Sequence, residues 1–298
     1  MKLNSLHILL TYQCNLACDH CFVFGSPWQS GTLTWRKLED ILDQAHALGT
    51  VESIYFEGGE PFLYYALLVK GVERAAGLGF QVGIVSNAYW ATDVPDAIEW
   101  LRPFAGRLSD LSISSDLYHW SAEQSRWAEN ACAAAEELGI PIGVISVAQP
   151  EAVNAAPAVG QLPPGVSAVM YRGRAAQELV GRATLRPWSE FTTCPHEDLR
   201  EPGRVHLDPL GNLHVCQGIV LGNVFQTPLK EICAGYRPDQ HPIAGPLLRG
   251  GPVALVNEYG VSPSAQYADA CHLCYQTRRA LRPQFPDLLK PDQVYGII

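Results

Sequence analysis

Basic residues are too few in this 298-residue chain to outweigh the acidic ones: 21 Lys and Arg stand against 30 Asp and Glu, a formal charge of −9. A protein whose affinity rests on neutralising phosphates has the opposite balance, so no nucleic-acid partner is expected. Long apolar runs are also missing. Uncharged stretches such as Pro209 to Leu229 are interrupted by Gly, Asn, His and Pro, which would carry breakers and polar groups into a bilayer, so no membrane partner is expected either. The opening Met1 to Cys14 has one Lys and a short apolar run without a small-residue cleavage site, and a cytoplasmic location follows as the expectation. The 26 Gly and 22 Pro are scattered without a period, and 47% hydrophobic residues are too many for a disordered chain. What is there reads as a compact globule of one large α/β domain or two smaller ones.

Nine cysteines form the strongest compositional signal. Their odd number, the chain length and the lack of an export signal weaken a disulfide framework and favour metal ligation. Cys14, Cys18 and Cys21 cluster near the start. Cys194, Cys216, Cys233, Cys271 and Cys274 lie in the last third, with Cys132 alone between the groups.

The first part of the chain alternates strand and helix signals. Strands are expected at Leu6 to Leu10, Val51 to Phe56, Phe80 to Val85, Leu111 to Ser114, Ile142 to Val147 and Val166 to Tyr171. Thr34 is placed to cap a helix closed by Gly49, with Leu33 and Leu38 as a hydrophobic staple; further helices are expected over Leu63 to Leu78, from near Pro95, and from a Ser121/Gln124 capping box to Leu138, closed by Gly139. Six such units in about 185 residues suggest a partial (β/α)6 TIM-type barrel over residues 1–186, since a full eightfold barrel needs about 250. From Pro187 the strands shorten and Gly and Pro become frequent, so residues 187–298 are read as a small C-terminal cluster-binding module stapled by metal.

Three thiolates at the spacing of Cys14, Cys18 and Cys21 converge on one metal centre, because the chain turns back within three or four residues; random placement of nine cysteines would give about 0.01 such triplets. Soft sulfur ligands suit an iron–sulfur cluster or zinc, and a zinc knuckle or reduced structural thiols remain alternatives. Three protein ligands on a four-iron cubane would leave one iron open to an exogenous ligand.

Cys14-Asn15-Leu16-Ala17-Cys18-Asp19-His20-Cys21-Phe22 resembles the CxxxCxxC loop of the radical S-adenosylmethionine (radical SAM) superfamily. Gly58-Gly59-Glu60-Pro61 resembles its GGEP motif, Ser86-Asn87 the polar pair ending its third strand, and Ser114 with Asp116 the polar residues ending its fourth. Glu57, Ala88 and Leu117 depart from it, standing where Thr, Gly and Gly are usual. The resemblance implies a [4Fe-4S] cluster with an open iron site and S-adenosylmethionine, whose amino and carboxylate groups chelate that iron. It makes Gly58, Gly59, Glu60, Ser86, Asn87, Ser114 and Asp116 cofactor-binding candidates, with the glycine pair allowing backbone to approach the ligand's amino group. Arg174, in Arg172-Gly173-Arg174-Ala175, is placed near the cofactor carboxylate.

Cys271-His272-Leu273-Cys274 is a metal-type CxxC; Gly211-Asn212 reads as a hairpin turn delivering Cys216, and Cys194 lies upstream. These four could complete a tetrathiolate site, and their arrangement resembles twitch and SPASM modules that hold one auxiliary [4Fe-4S] cluster. Leu221 to Val224, leading into Pro228 to Ile232, resembles the turn and short helix that follow there. Zinc accepts the same ligands. A cluster closed by four thiolates would relay electrons, pointing to net oxidation. Cys233 and Cys132 read as small apolar residues. His20 reads as a solvated loop residue, Tyr118, His119 and Trp120 as pocket lining or aromatic packing, and Asp208, Glu258 and Tyr259 as weak acid/base candidates.

The implied function is a radical SAM enzyme, with a flavodoxin or ferredoxin as reductant, that abstracts hydrogen from a substrate in an oxidation, decarboxylation or bond formation. With no leader-recognition segment ahead of Cys14, a small polar molecule is the expected substrate. A peptide (RiPP) maturase forming a crosslink or thioether is the rival, and a non-catalytic iron–sulfur or zinc protein the third reading.

Overall fold

The computed structural model describes residues 1–119, 122–151 and 165–297. Trp120, Ser121 and the Gln124 side chain, and with them the expected capping box, lie outside what is described. Strands β1 (Ser5–Leu9), β2 (Ser53–Glu57), β3 (Gln81–Ser86), β4 (Asp110–Ser114), β5 (Ile142–Val147) and β6 (Gly165–Ser167) pair in chain order, each parallel to the next. Helices α1 (Trp35–Leu48), α2 (Tyr65–Gly77), α3 (Val94–Leu101) and α4 (Ala122–Glu137) fill the first four connections. Most of the fifth, residues 152–164, lies outside the described residues, and the single turn α5 (Ala175–Glu178) follows β6. This is an α/β fold on a parallel-strand sheet, consistent with the partial barrel expected.

Local chemistry sets the element ends. The Thr34 hydroxyl accepts from the Lys37 N–H at the start of α1, and Gly49, at φ 72°, ends it. Asp93 caps α3 by accepting from the Asp96 N–H, with Pro95 in the first turn where its missing N–H costs nothing.

Alternation along the strands separates the two faces of the sheet. Leu6, Ile8, Ile54, Phe56, Val82, Ile84, Leu111 and Ile113 are buried in one core with Leu38, Ile41, Leu42, Leu68, Val72 and Ala97 of the helices. The intervening residues face a polar lumen: Ser53 donates to Ser5 at 2.7 Å, Ser112 to Asp110 at 2.8 Å, and the Tyr55 ring lies over Gly83, where a Cβ would come within 2.3 Å of it.

After β7 (Arg186–Pro187), which pairs with β11 (Gln266–Tyr267), the sheet resumes. Strand β8 (Arg204–Leu207) lies parallel beside β1, and β9 (Asn212–Cys216) and β10 (Ile219–Asn223) extend it antiparallel, giving the order β10-β9-β8-β1-β2-β3-β4-β5-β6. The sheet thus runs across the expected 186/187 division. Residues Leu221 to Asn223, read in sequence as a turn, belong to strand β10: Ile219, Val220 and Leu221 supply the β-branched and apolar positions that pairing with β9 rewards. Helices α6 (Leu229–Gly235), α7 (Ala244–Tyr259) and α8 (Ala270–Leu281) complete the chain. Their segment shares a core with the start of the chain, where Leu9, Tyr12, Val23 and Phe24 pack with Val215, Ile219, Leu247, Tyr275 and Tyr295.

Candidate functional site

The loop after β1 carries Cys14, Cys18 and Cys21 across the C-terminal ends of the parallel strands, the end of such a sheet where sites assemble. Two other segments clamp it. From the β2 end, the Gly59 N–H donates to Thr11 O at 2.7 Å and the Glu60 N–H to Gln13 O at 2.9 Å. A Cβ on Gly58 would lie 2.5 Å from Thr11 O, and one on Gly59 2.1 Å from Gln13 O. Here the glycine pair makes room for the loop's own carbonyls. From the other side, Arg174 donates its backbone N–H to Cys21 O at 2.9 Å and its guanidinium to Cys18 O at 2.7 Å and Gly25 O at 2.8 Å. Gly173, at φ +59°, brings this segment onto Phe22, where a Cβ would stand 2.5 Å from Phe22 Cα.

A cleft opens beside the three thiols and is also lined by Gly58, Gly59, Glu60, Ser86, Asn87 and Ser114. Sulfur in it receives backbone N–H groups, Leu16 to Cys14 at 3.4 Å and Gly25 to Cys21 at 3.2 Å. Burial, with Glu60 nearby, pushes the Cys14 thiol up to about 12, and burial also raises Cys18. Buried thiols of this kind ionise when a metal supplies the compensating charge.

Glu60 is fully buried, accepting from the Phe62 N–H at 3.1 Å, the Ser86 hydroxyl at 2.9 Å and the Asn87 N–H at 2.8 Å. Asn87 donates its side-chain amide to Asn15 Oδ1 at 2.9 Å, which ties the β3 end to the cysteine loop. Burial dominates over these donors and pushes the Glu60 carboxyl up to about 7. Because the folded state then holds the proton more tightly than the unfolded chain, the contribution of Glu60 to stability is full below about 4.5 and is lost as pH rises through about 7, on the order of 3 kcal/mol in all. Urea unfolding of the nucleotide-free protein and of Glu60→Gln at pH 5 and pH 8 is expected to show the wild type losing ground to the variant at pH 8. Identical pH slopes would remove the buried-carboxyl account.

Ala88 sits at φ 59°, a left-handed conformation that glycine adopts without the penalty a Cβ brings, which is a physical reason for the glycine usual at this place. Asp116 accepts from the Tyr118 and His119 N–H groups, from the His119 ring at 2.9 Å and from the Val147 N–H; although burial opposes it, these partners hold its carboxyl below the ordinary value. His20, expected to be solvated, instead stacks on Tyr118 at 4.6 Å, lines the cleft and is lowered to about 4 by burial.

The second group of cysteines also comes together. Cys194, Cys216, Cys271 and Cys274 line one cavity. Cys216 ends β9, Cys271 and Cys274 lie in the first turns of α8, which Asp269 caps by accepting from the His272 N–H, and Cys194 sits on a loop. A kink in α7 at Gly250-Gly251 makes room for that loop: a Cβ on Gly251 would lie 2.3 Å from Thr193 N. Two buried arginines face the thiols. Arg172 donates to Cys216 Sγ at 3.1 Å and pairs with Glu197 at 3.1 Å; Arg278 donates to Gln217 O at 2.8 Å and lines the same cavity. Despite the burial, Cys216 and Glu197 keep Arg172 firmly protonated. The sequence reading missed Arg278 as a site residue, although its place four residues after Cys274 puts both on one helix face.

The remaining candidates are occupied elsewhere. Cys233 is buried in the barrel core and Cys132 lies on α4. Asp208 is fully buried and accepts from Tyr12, Leu210, Asn212 and His214. Glu258 pairs with Arg249 on the surface, and the Tyr259 hydroxyl donates to Pro242 O.

Three comparisons bear on this arrangement. The chain is 28% identical over 116 residues to a putative peptide biosynthesis protein (YydG) of Bacillus subtilis, covering 39% of this chain and 36% of that one. It is 35% identical over 85 residues to an S-adenosylmethionine-dependent nucleotide dehydratase of Selenomonas ruminantium, covering 28% of each. The chain thus spans about a third of the length of these curated relatives. Its fold is similar to that of BtrN, solved in complex with AdoMet and 2-DOIA, with a TM-score of 0.55, 14% identity and 92% of both chains covered. Residues 8–150, which hold the cysteine loop, both glycines, Glu60, Ser86, Asn87, Ser114 and Asp116, match the radical SAM superfamily and form a domain of that superfamily.

Proposed function

We propose that this chain is a radical SAM enzyme acting on a small polar molecule, with a [4Fe-4S] cluster on Cys14, Cys18 and Cys21 and an auxiliary [4Fe-4S] cluster in the cavity of Cys194, Cys216, Cys271 and Cys274. The observation that carries the reading is the meeting of three thiols, the Gly58-Gly59-Glu60 clamp and the Ser86-Asn87 pair around one cleft. When bound, such a cluster with S-adenosylmethionine supplies one-electron reductive cleavage and a 5′-deoxyadenosyl radical that abstracts hydrogen.

The chain's own residues position and protect that chemistry. Arg174, Gly59 and Glu60 fix the loop's backbone, so the sulfur ligands are held before any cofactor arrives. Glu60, Ser86 and Asn87 form a polar wall able to take the nucleotide's amino group, and Ser114 and Asp116 stand on the next strand end. Phe22 lines the cleft while Arg172, which lines the thiol cavity, lies 5.4 Å over its ring, so one cation–π contact joins the linings of the two. That proximity supports an electron-relay role for the second site and hence a net oxidation.

The peptide-maturase reading has one observation in its favour, the peptide-biosynthesis name of the Bacillus relative. Anaerobic reconstitution tests the central claim: about eight irons per chain and dithionite-dependent 5′-deoxyadenosine are expected. Zinc at both cysteine groups with no nucleoside formed would overturn it.

A further inference from the structure

Beneath the cleft, in the polar lumen, three side chains that the cofactor chemistry does not use converge from three neighbouring strands. His7 is the middle residue of β1, Glu57 the last of β2 and His206 the third of β8. His7 Nδ1 lies 3.4 Å from Glu57 Oε2, and His206 Nε2 lies 3.2 Å from Glu57 Oε1. One donor atom from each falls within 4.8 Å of the others. We propose that His7, Glu57 and His206 form a mononuclear site for a divalent transition ion of the zinc type, held by two imidazole nitrogens and one carboxylate.

Sequence register makes the convergence. His7 pairs with Tyr55 on one side and with His206 on the other, two places from the Leu9–Glu57 pair, so all three side chains project from the same face of the sheet.

The separations are those of ligands around an ion. Donors about 2.1 Å from a metal lie roughly 3.0 to 3.4 Å from one another in tetrahedral or octahedral arrangements. Glu57 Oε1 is buried and faces His206 Nε2 at 3.2 Å without the alignment of a full hydrogen bond. A buried carboxylate set between two imidazoles is an arrangement that a shared cation stabilises. Neighbouring rings hold both imidazoles in place: His7 stacks on Tyr55 at 4.7 Å with planes 8° apart, and His206 meets the edge of Phe22 at 6.3 Å. Two nitrogens and one oxygen select a borderline ion over calcium or magnesium, and three protein ligands leave positions open. Glu57 and Phe22 both line the cleft, so an ion here borders the space assigned above to substrate. An oxygen of a carboxylate or hydroxyl substrate is the ligand class such positions take. That last step rests on the proposed function; the ion site itself does not.

Zinc content of the cluster-reconstituted protein tests the site. After incubation with Zn(II) and removal of free metal, one zinc per chain is expected besides the iron, with a zinc X-ray absorption spectrum fitted by nitrogen and oxygen scatterers alone. Glu57→Gln and His206→Gln are each expected to lose that zinc while keeping the wild-type iron content, which reports that the variant is folded and carries its clusters. Sulfur scattering, no zinc beyond the iron, or unchanged zinc in both variants would overturn the proposal. Failure of nucleoside formation with the zinc result intact would instead count against the radical SAM reading alone. Where a variant loses iron as well, the wild-type absorption spectrum decides.

Discussion

Cys18→Ala is expected to abolish dithionite-dependent formation of 5′-deoxyadenosine and to lower reconstituted iron by about four per chain, whereas Cys271→Ala is expected to lose a similar amount of iron and still cleave S-adenosylmethionine without turning over substrate. The asymmetry follows from where the two thiols lie. Cys18 faces the cleft and its carbonyl is gripped by Arg174, so its loss removes a ligand from the only trio facing the Gly59-Glu60 wall among the described residues. Cys271 belongs to the other cavity, together with Arg172 and Arg278. Iron counting and nucleoside chromatography on the two variants, prepared anaerobically, check both halves. Equal loss of nucleoside in both would contradict a division of labour between the centres.

The same geometry separates what the chain's letters disclose from what only folding reveals. Signals that act within a few residues were legible: Thr34 and Gly49 bound α1 as expected, Ile142–Val147 is a strand to the residue, and Gly139, at φ +64°, follows α4. Both cysteine groups were legible as groups from their spacing, and each lines one cavity. Long-range partners were not. Nothing local to His20 indicates that Tyr118 will cover it, and nothing local to Leu221 indicates that β9 will recruit it into a strand. The buried arginines are a middle case. Arg278 shares a helix face with Cys274, but Arg172 reaches Cys216 across 44 positions. His7, Glu57 and His206 are legible only once β8 is known to pair with β1, a contact spanning about two thirds of the chain.

Gly59→Ala is expected to be the most damaging single methyl group in the domain. An alanine Cβ would stand 2.1 Å from Gln13 O and 2.8 Å from Tyr12 O, both backbone atoms that no rotamer change can move. Relief requires the β2 end to withdraw from the cysteine loop, which gives up the Gly59–Thr11 and Glu60–Gln13 hydrogen bonds. Overpacking against side chains costs about 1 to 3 kcal/mol. With two buried backbone bonds also at stake, about 3 kcal/mol or more is expected here, with loss of the iron held by the first trio. Gly77→Ala is the matched control: it lies at the end of α2 with nothing within 4 Å of the added Cβ, and it is expected to be neutral or to stabilise by up to about 1 kcal/mol. Thermal unfolding and iron content of the two variants, measured side by side, read the difference. A Gly59→Ala protein with wild-type melting and full iron would show that the clamp between β2 and the cysteine loop does not hold the ligands in place.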